Sequence, residues 1–143
     1  MLPKRILLVD DDEIMLTLLE YFFCGCNCVT TRALNGEMAL QALRAADFDL
    51  VITDLQMGRT SGLDVSREAK AINPETTVFI LTGCEDGTSA GEAFRLGVAA
   101  YLLKPISFRI LVDRMREEGL FLAKKHVAGK TGAVSECLTT CQQ

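Results

Sequence analysis

Four short apolar runs, each closed by a polar residue, constrain the fold of this chain more than any other feature. Asp10 and Asp11 follow Ile6-Leu7-Leu8-Val9, and Asp54 follows Leu50-Val51-Ile52-Thr53. Thr82 follows Val78-Phe79-Ile80-Leu81, and Lys104 follows Tyr101-Leu102-Leu103. Runs of this length read as buried parallel strands when helical stretches separate them. In an open parallel sheet the strands point the same way, and ligands bind beyond their carboxyl ends. Three carboxylates, a hydroxyl and an ammonium are therefore expected to converge on one site. That set suits a divalent cation beside a phosphoryl group.

The intervening segments support this reading. Strands are expected over residues 5–9, 28–33, 49–53, 77–81 and 99–103. The helix after the first strand covers 12–23, with Ile14, Leu18, Leu19 and Phe22 at helical spacing and Asp12 and Glu13 suited to its N-terminal dipole. Further helices cover 36–46, with Met38, Ala39, Ala42 and Leu43 inward, then 62–72, 88–96, and from a Ser107 cap to about 125. Asn35-Gly36 is a turn, Asn73-Pro74 stops the third helix, and Gly97 closes the fourth. Lys104-Pro105 is a place for a cis bond. Five βα units in succession argue for a doubly wound flavodoxin-like α/β fold with a five-stranded parallel sheet ordered 2-1-3-4-5 and helices on both faces. Residues 1–125 would form this domain, and 126–143, small, polar and glycine-bearing, a flexible tail or linker.

Net charge of −4 gives no support for binding nucleic acid or an anionic membrane. No apolar run approaches the roughly 20 residues that span a bilayer, and the N-terminus does not read as a signal peptide, so a cytoplasmic protein is expected. Six cysteines without a secretory signal are expected to be reduced thiols.

In the 2-1-3-4-5 order the switch point lies between strands one and three, where Asp10, Asp11 and Asp54 emerge. Three neighbouring carboxylates repel one another and at least one pKa should rise; a divalent cation removes the conflict. All-oxygen ligation favours magnesium or manganese over zinc, and the single histidine, His126, is remote in sequence. Asp54 is the candidate nucleophile, since a carboxylate can attack phosphorus to give an acyl phosphate. Lys104 would neutralise phosphoryl charge and the Thr82 hydroxyl would donate to a phosphoryl oxygen. Any one of these residues alone is an ordinary helix start, turn, strand end or solvated charge. Their common position at one sheet end gives them weight.

The motifs Leu7-Leu8-Val9-Asp10-Asp11, residues 49–57 with Gly62 after them, Ile80-Leu81-Thr82 and residues 101–105 resemble, in order and spacing, a response-regulator receiver domain of two-component signalling. The resemblance spans residues 4–122. It implies that a histidine kinase or phosphotransfer protein donates phosphate to Asp54. Asp11, Asp54 and the backbone carbonyl of Gln56 would bind magnesium, with Asp10 helping through water. Lys104 would pair with the phosphoryl group, and Thr82 and Tyr101 would form the switch pair. The output surface would be helix four, strand five and helix five, facing a downstream protein, an output domain or a second copy through helices four and five. Gln56 and Cys84 would flank the path of attacking water; neither is an acid, so the acyl phosphate is expected to last. Two positions depart from the family pattern: Gly58 stands where proline is usual, which suggests a more mobile loop, and Gly83 where alanine is usual. Such a domain catalyses only its own phosphorylation and dephosphorylation. It could stand alone or form part of a longer chain.

Haloacid-dehalogenase-like phosphatases offer a second resemblance, through Asp10, Asp12, Thr82 and Lys104. It leaves Asp54 without a role, and no acidic pair follows Lys104. The run Cys24-x-Cys26-x-Cys28 has the wrong spacing for most zinc sites, and its members are expected to act as small buried apolar side chains.

Overall fold

The computed structural model describes residues 2–83 and 87–120. Its elements run β1 (Lys4–Val9), α1 (Glu13–Phe23), β2 (Cys28–Ala33), α2 (Gly36–Ala45), β3 (Leu50–Asp54), α3 (Gly62–Ile72), β4 (Thr77–Thr82), α4 (Gly87–Arg95), β5 (Ala100–Leu103) and α5 (Phe108–Glu117). All strand pairs are parallel, and the sheet order is β2-β1-β3-β4-β5.

Alternation along each strand divides the core in two. Ile6, Leu8, Leu50, Ile52, Phe79 and Leu81 pack with residues of α1 and α5 on one face. Leu7, Val9, Val51, Val78 and Ile80 pack with residues of α2, α3 and α4 on the other. The three central strands are therefore apolar on both sides, which is why they read as continuous runs. Phe22 of α1 stacks on Phe108 of α5, with centroids 4.8 Å apart and planes at 10°. Fully burying a side chain of this size stabilises by roughly 1.5–3 kcal/mol.

Local signals set the helix starts. The side chains of Asp12, Asn35 and Ser107 accept from Ile14, Met38 and Ile110 backbone N–H groups, and Ser61 with Asp64 forms a reciprocal capping box. Gly97 has φ +92 after α4, and the Lys104-Pro105 bond is cis.

The structure corrects several sequence expectations. Ile14, Leu18 and Met38 are exposed, whereas Leu16, Leu19, Phe22 and Phe23 are buried in α1. Helix α1 has apolar residues on two faces, so spacing alone could not choose between them. Helix α5 ends at Glu117, not near 125, because Gly119 takes φ +74 and Leu120 N–H returns to the Met115 carbonyl. That is a glycine helix stop. Leu120 is buried against the α1–α5 side of the core, while Phe121, Leu122 and the expected tail lie outside the described residues. Cys26 is buried and disulfide-bonded, although reduced thiols were expected. Cys24 is exposed and Cys28 half-buried, both as thiols. Compartment arguments speak to redox poise; whether two sulfurs meet is decided by backbone geometry.

Candidate phospho-acceptor site

Strand register brings the carboxylates together. Val9 pairs with Thr53, so Asp10 beyond β1 sits beside Asp54 at the end of β3. Asp54 pairs with Leu81, which places Thr82 at the same rim. The Lys104 N–H bonds to the Thr82 carbonyl at 2.7 Å, which carries the lysine to that rim from β5.

Asp10, Asp54 and Thr82 are buried, and Asp11 is exposed. Asp10, Asp11 and Asp54 each offer one oxygen, and these three atoms lie within 4.8 Å of one another. The Lys104 ammonium donates to Asp10 Oδ2 at 2.9 Å and lies 3.4 Å from Asp54 Oδ1. Asp10 Oδ1 accepts from Asp12 N–H, and Asp54 Oδ1 accepts from Leu55 N–H, both at 2.9 Å. These backbone donors fix both carboxylates, and sequence reasoning missed them because they depend on how the chain turns beyond each strand.

Burial, then the negative charge of Asp10, pushes the Asp54 pKa up against the pull of Lys104. Burial opposes the charge on Lys104, but its bonds and attraction to Asp10 and Asp54 outweigh it and hold its pKa above the usual lysine range. An acid whose pKa rises on folding lowers stability wherever it is ionised. The penalty is absent below its ordinary value near 3.8, where it is protonated both folded and unfolded. Asp54→Asn is therefore expected to raise unfolding stability at neutral pH without divalent cations, by about 1 kcal/mol. The gain should shrink as pH falls and vanish below about pH 4. Urea titrations of both proteins at several pH values measure it; a gain unchanged at low pH would assign the effect to packing.

Three hard oxygen donors with one raised carboxyl fit a divalent cation. Among the described residues no other group of acids, cysteines or histidines is so placed. Asp12 is spent on the α1 cap, accepting from Ile14 N–H at 2.9 Å, which removes it from the role that the phosphatase resemblance required.

The loop after Asp54 is closed tightly. Gly62 N–H bonds to the Leu55 carbonyl at 2.8 Å, and Leu55 N–H reaches the Leu81 carbonyl at 3.0 Å. Met57 is buried in the α2–α4 side of the core, leaving Gln56 exposed at the rim. Gly58 has φ +76, a backbone that proline cannot adopt, so its departure from the family pattern sets a defined turn and not merely greater mobility. A Cβ on Gly62 would clash with the Asp54 carbonyl oxygen, and only glycine lets α3 approach the acceptor strand so closely. Gly62→Ala is expected to destabilise by about 2–3 kcal/mol, since backbone atoms on both sides must move. A thermal midpoint within a degree of the parent would show that the loop relaxes freely.

Tyr101 on β5 pairs with Ile80, and its half-buried ring packs against the α2–α4 side of the core. Cys84 lies outside the described residues.

The family model for the response regulator receiver domain matches residues 6–116. The chain belongs to this family. It is 36% identical over 112 residues to the transcriptional regulatory protein ZraR of Salmonella typhimurium, covering 78% of this chain and 24% of that one. It is 32% identical over 114 residues to the Regulator of RpoS of Escherichia coli, covering 80% and 33%. The receiver domain thus spans a quarter to a third of the length of these relatives. A receiver domain from Clostridium thermocellum superposes with TM-score 0.74 at 30% identity, covering 80% of this chain and 93% of that one. A response regulator from Burkholderia pseudomallei, with a phosphorylated aspartic acid, a calcium ion and citrate, gives TM-score 0.72 at 26% identity, covering 78% and 65%. Receiver domains are signalling modules that work with kinases and output domains, and this one carries an acidic cluster suited to a divalent metal. Among the described residues no helix is long and apolar enough to cross a membrane.

Proposed function

We propose that this receiver domain accepts a phosphoryl group on Asp54 in a magnesium-dependent reaction, with a histidine kinase or phosphotransfer protein as donor in the cytoplasm. The observation that carries the reading is the joint placement of Asp10, Asp11, Asp54 and Lys104, with one buried carboxylate fixed by a backbone N–H and an ammonium. A carboxylate oxygen of Asp54 attacks phosphorus, the bond from phosphorus to the donor breaks, and the donor leaves with the electron pair. Lys104 pairs with the phosphoryl oxygens, and the Thr82 hydroxyl donates to one of them. Asp10, Asp11, Asp54 and the Gln56 carbonyl would hold the cation, magnesium or manganese. Bound there, it would supply a Lewis-acid charge on the phosphoryl oxygens.

Once Asp54 is modified, Lys104 and Thr82 are drawn to the new group. Thr82 ends β4 beside β5, so its movement is felt by Tyr101 and by the face of α4, β5 and α5. Phe94, Leu103 and Ile110 are exposed on those elements and fit a downstream protein, an output domain or a homodimer through α4 and α5. Gln56, exposed and uncharged, offers water no general base, which supports a long-lived acyl phosphate; Cys84 would share that role. Residues 1–125 would be the signalling unit and 126–143 a tail or linker. The test is incubation of the full chain with a small acyl phosphate and magnesium. The expected result is a mass gain of one phosphoryl group, acid-stable and base-labile. Label on Asp10 in place of Asp54 would overturn the assignment.

A further inference from the structure

Among the described residues, Asp10, Asp54 and Thr82 are buried polar side chains at the phospho-acceptor rim, while Thr53, Ser66 and Thr76 are buried without belonging to it. Each of these last three hydroxyls donates to a backbone carbonyl. Ser66 reaches the Gly62 carbonyl at 2.7 Å, an i−4 bond inside α3, and Thr76 reaches the Phe48 carbonyl at 2.9 Å, just before β3 begins. Thr53 reaches the Asp54 carbonyl at 2.9 Å. That carbonyl belongs to the peptide unit that also carries the Leu55 N–H. The N–H is shared between the Leu81 carbonyl, at 3.0 Å, and Asp54 Oδ1, at 2.9 Å. A peptide unit is planar and trans, so its oxygen and its hydrogen point to opposite sides and turn together. Whatever holds the oxygen therefore aims the hydrogen. Thr53 is wholly buried in β3, paired with Val9 of β1 and Ile80 of β4, so its hydroxyl stands on a fixed base. Gly62 closes on the same carbonyl so nearly that a Cβ there would strike it.

We propose that Thr53 is a positioning residue for phosphoryl transfer: its hydroxyl fixes the Asp54–Leu55 peptide, and that peptide holds the nucleophilic carboxylate in its attacking orientation. The inference rests on Asp54 as the acceptor. Buried beneath the rim, the hydroxyl acts only through the peptide. Valine at 53 fills much the same space but removes the donor from a buried carbonyl. The peptide is then free to tilt, the Leu55 N–H leaves Asp54 Oδ1, and the carboxylate samples orientations that do not react. Attack by a held group is steep in geometry, and a misplacement of about 1 Å costs up to about a hundredfold in rate. A packing role for Thr53 has the opposite signature, because valine keeps the branched shape and serine loses it.

The full chain and its variants are given a small acyl phosphate at saturating magnesium, below every unfolding midpoint, and base-labile label is followed with time. Uptake should be slowed about ten- to a hundredfold in Thr53→Val and restored in Thr53→Ser. Thr76→Val loses a hydroxyl–carbonyl bond of equal length at the far end of the sheet, and its uptake should be unchanged. Amide exchange followed by NMR in the metal-free proteins reads the contact itself. In Thr53→Val the Leu55 amide should lose more protection than those of Ile52 and Ile80, which report global opening, and in Thr76→Val it should not. If Thr53→Val does not fold, Thr53→Ala against Thr53→Ser isolates the same oxygen. Uptake at the parent rate in Thr53→Val, slow uptake in Thr53→Ser, or slow uptake in Thr53→Val with Leu55 protection unchanged would overturn the positioning role and leave Asp54 as the acceptor. A parent chain that takes up no label would overturn the acceptor reading and the inference with it.

Discussion

Asp54→Asn is expected to reduce phosphoryl uptake from a small acyl phosphate to background, while the fold persists. Asparagine keeps the size and can still accept the Leu55 N–H bond that Asp54 Oδ1 accepts at 2.9 Å. It lacks the anionic oxygen that attacks phosphorus, and an amide is too weak a nucleophile to replace it. Asp10 remains nearby, but Lys104 at 2.9 Å and the Asp12 N–H at 2.9 Å hold its two oxygens. Both are committed to bonds that place the Asp10 carboxylate as a support for the site, not as its nucleophile. Intact mass and base-lability of the label measure the outcome. Stoichiometric base-labile label surviving in the variant would sink the assignment of Asp54. Because the same substitution should stabilise the metal-free fold, loss of uptake cannot be ascribed to unfolding if both results are seen in one preparation.

The frame of the molecule was legible because the central strands are buried on both faces. Leu7, Val51 and Ile80 face one helix layer and Leu8, Ile52 and Leu81 the other, so no polar position interrupts the runs and their ends are sharp. Those sharp ends located Asp10, Asp54 and Thr82 without any structure, and the shorter run of the edge strand β5 located Lys104. Other features depend on information that no run carries. The inward face of α1 could not be read, since Ile14, Leu18 and Tyr21 make a second apolar stripe that the fold leaves exposed. Gly119 marks the end of α5, but it acts as a stop only through the φ of +74 that it takes in the fold. Gly62 stood in the family pattern, but its reason is a contact with the Asp54 carbonyl that exists only once α3 docks. The disulfide at Cys26 depends on which sulfurs the folded backbone brings together.

Removing the divalent cation is expected to slow phosphoryl uptake by roughly a hundredfold or more, since such an ion stabilises developing charge by several kcal/mol. The charges at the site explain why. Three carboxylates meet one ammonium, so two negative charges remain where a phosphoryl anion must arrive. Lys104 cannot do more, because its shortest contact is already to Asp10. Burial, and after it the charge of Asp10, raises the Asp54 pKa, so the nucleophile itself resists ionisation at this rim. A dication cancels the remainder, favours the ionised nucleophile and lets the donor approach. Chelation should therefore block uptake with no loss of helix signal, because both halves of the core lie below the rim and need no ion. Added magnesium should raise the unfolding midpoint, as any ligand of the native state does. Asp11→Asn separates the metal from the chemistry. Asp11 is exposed and makes no part of the nucleophile, so its loss should raise the magnesium needed for half-maximal uptake by about ten- to a hundredfold, the scale of a lost metal-site contact. Uptake at saturating magnesium should largely recover. Equal uptake with and without chelator would show that the three carboxylates do not act as a metal site.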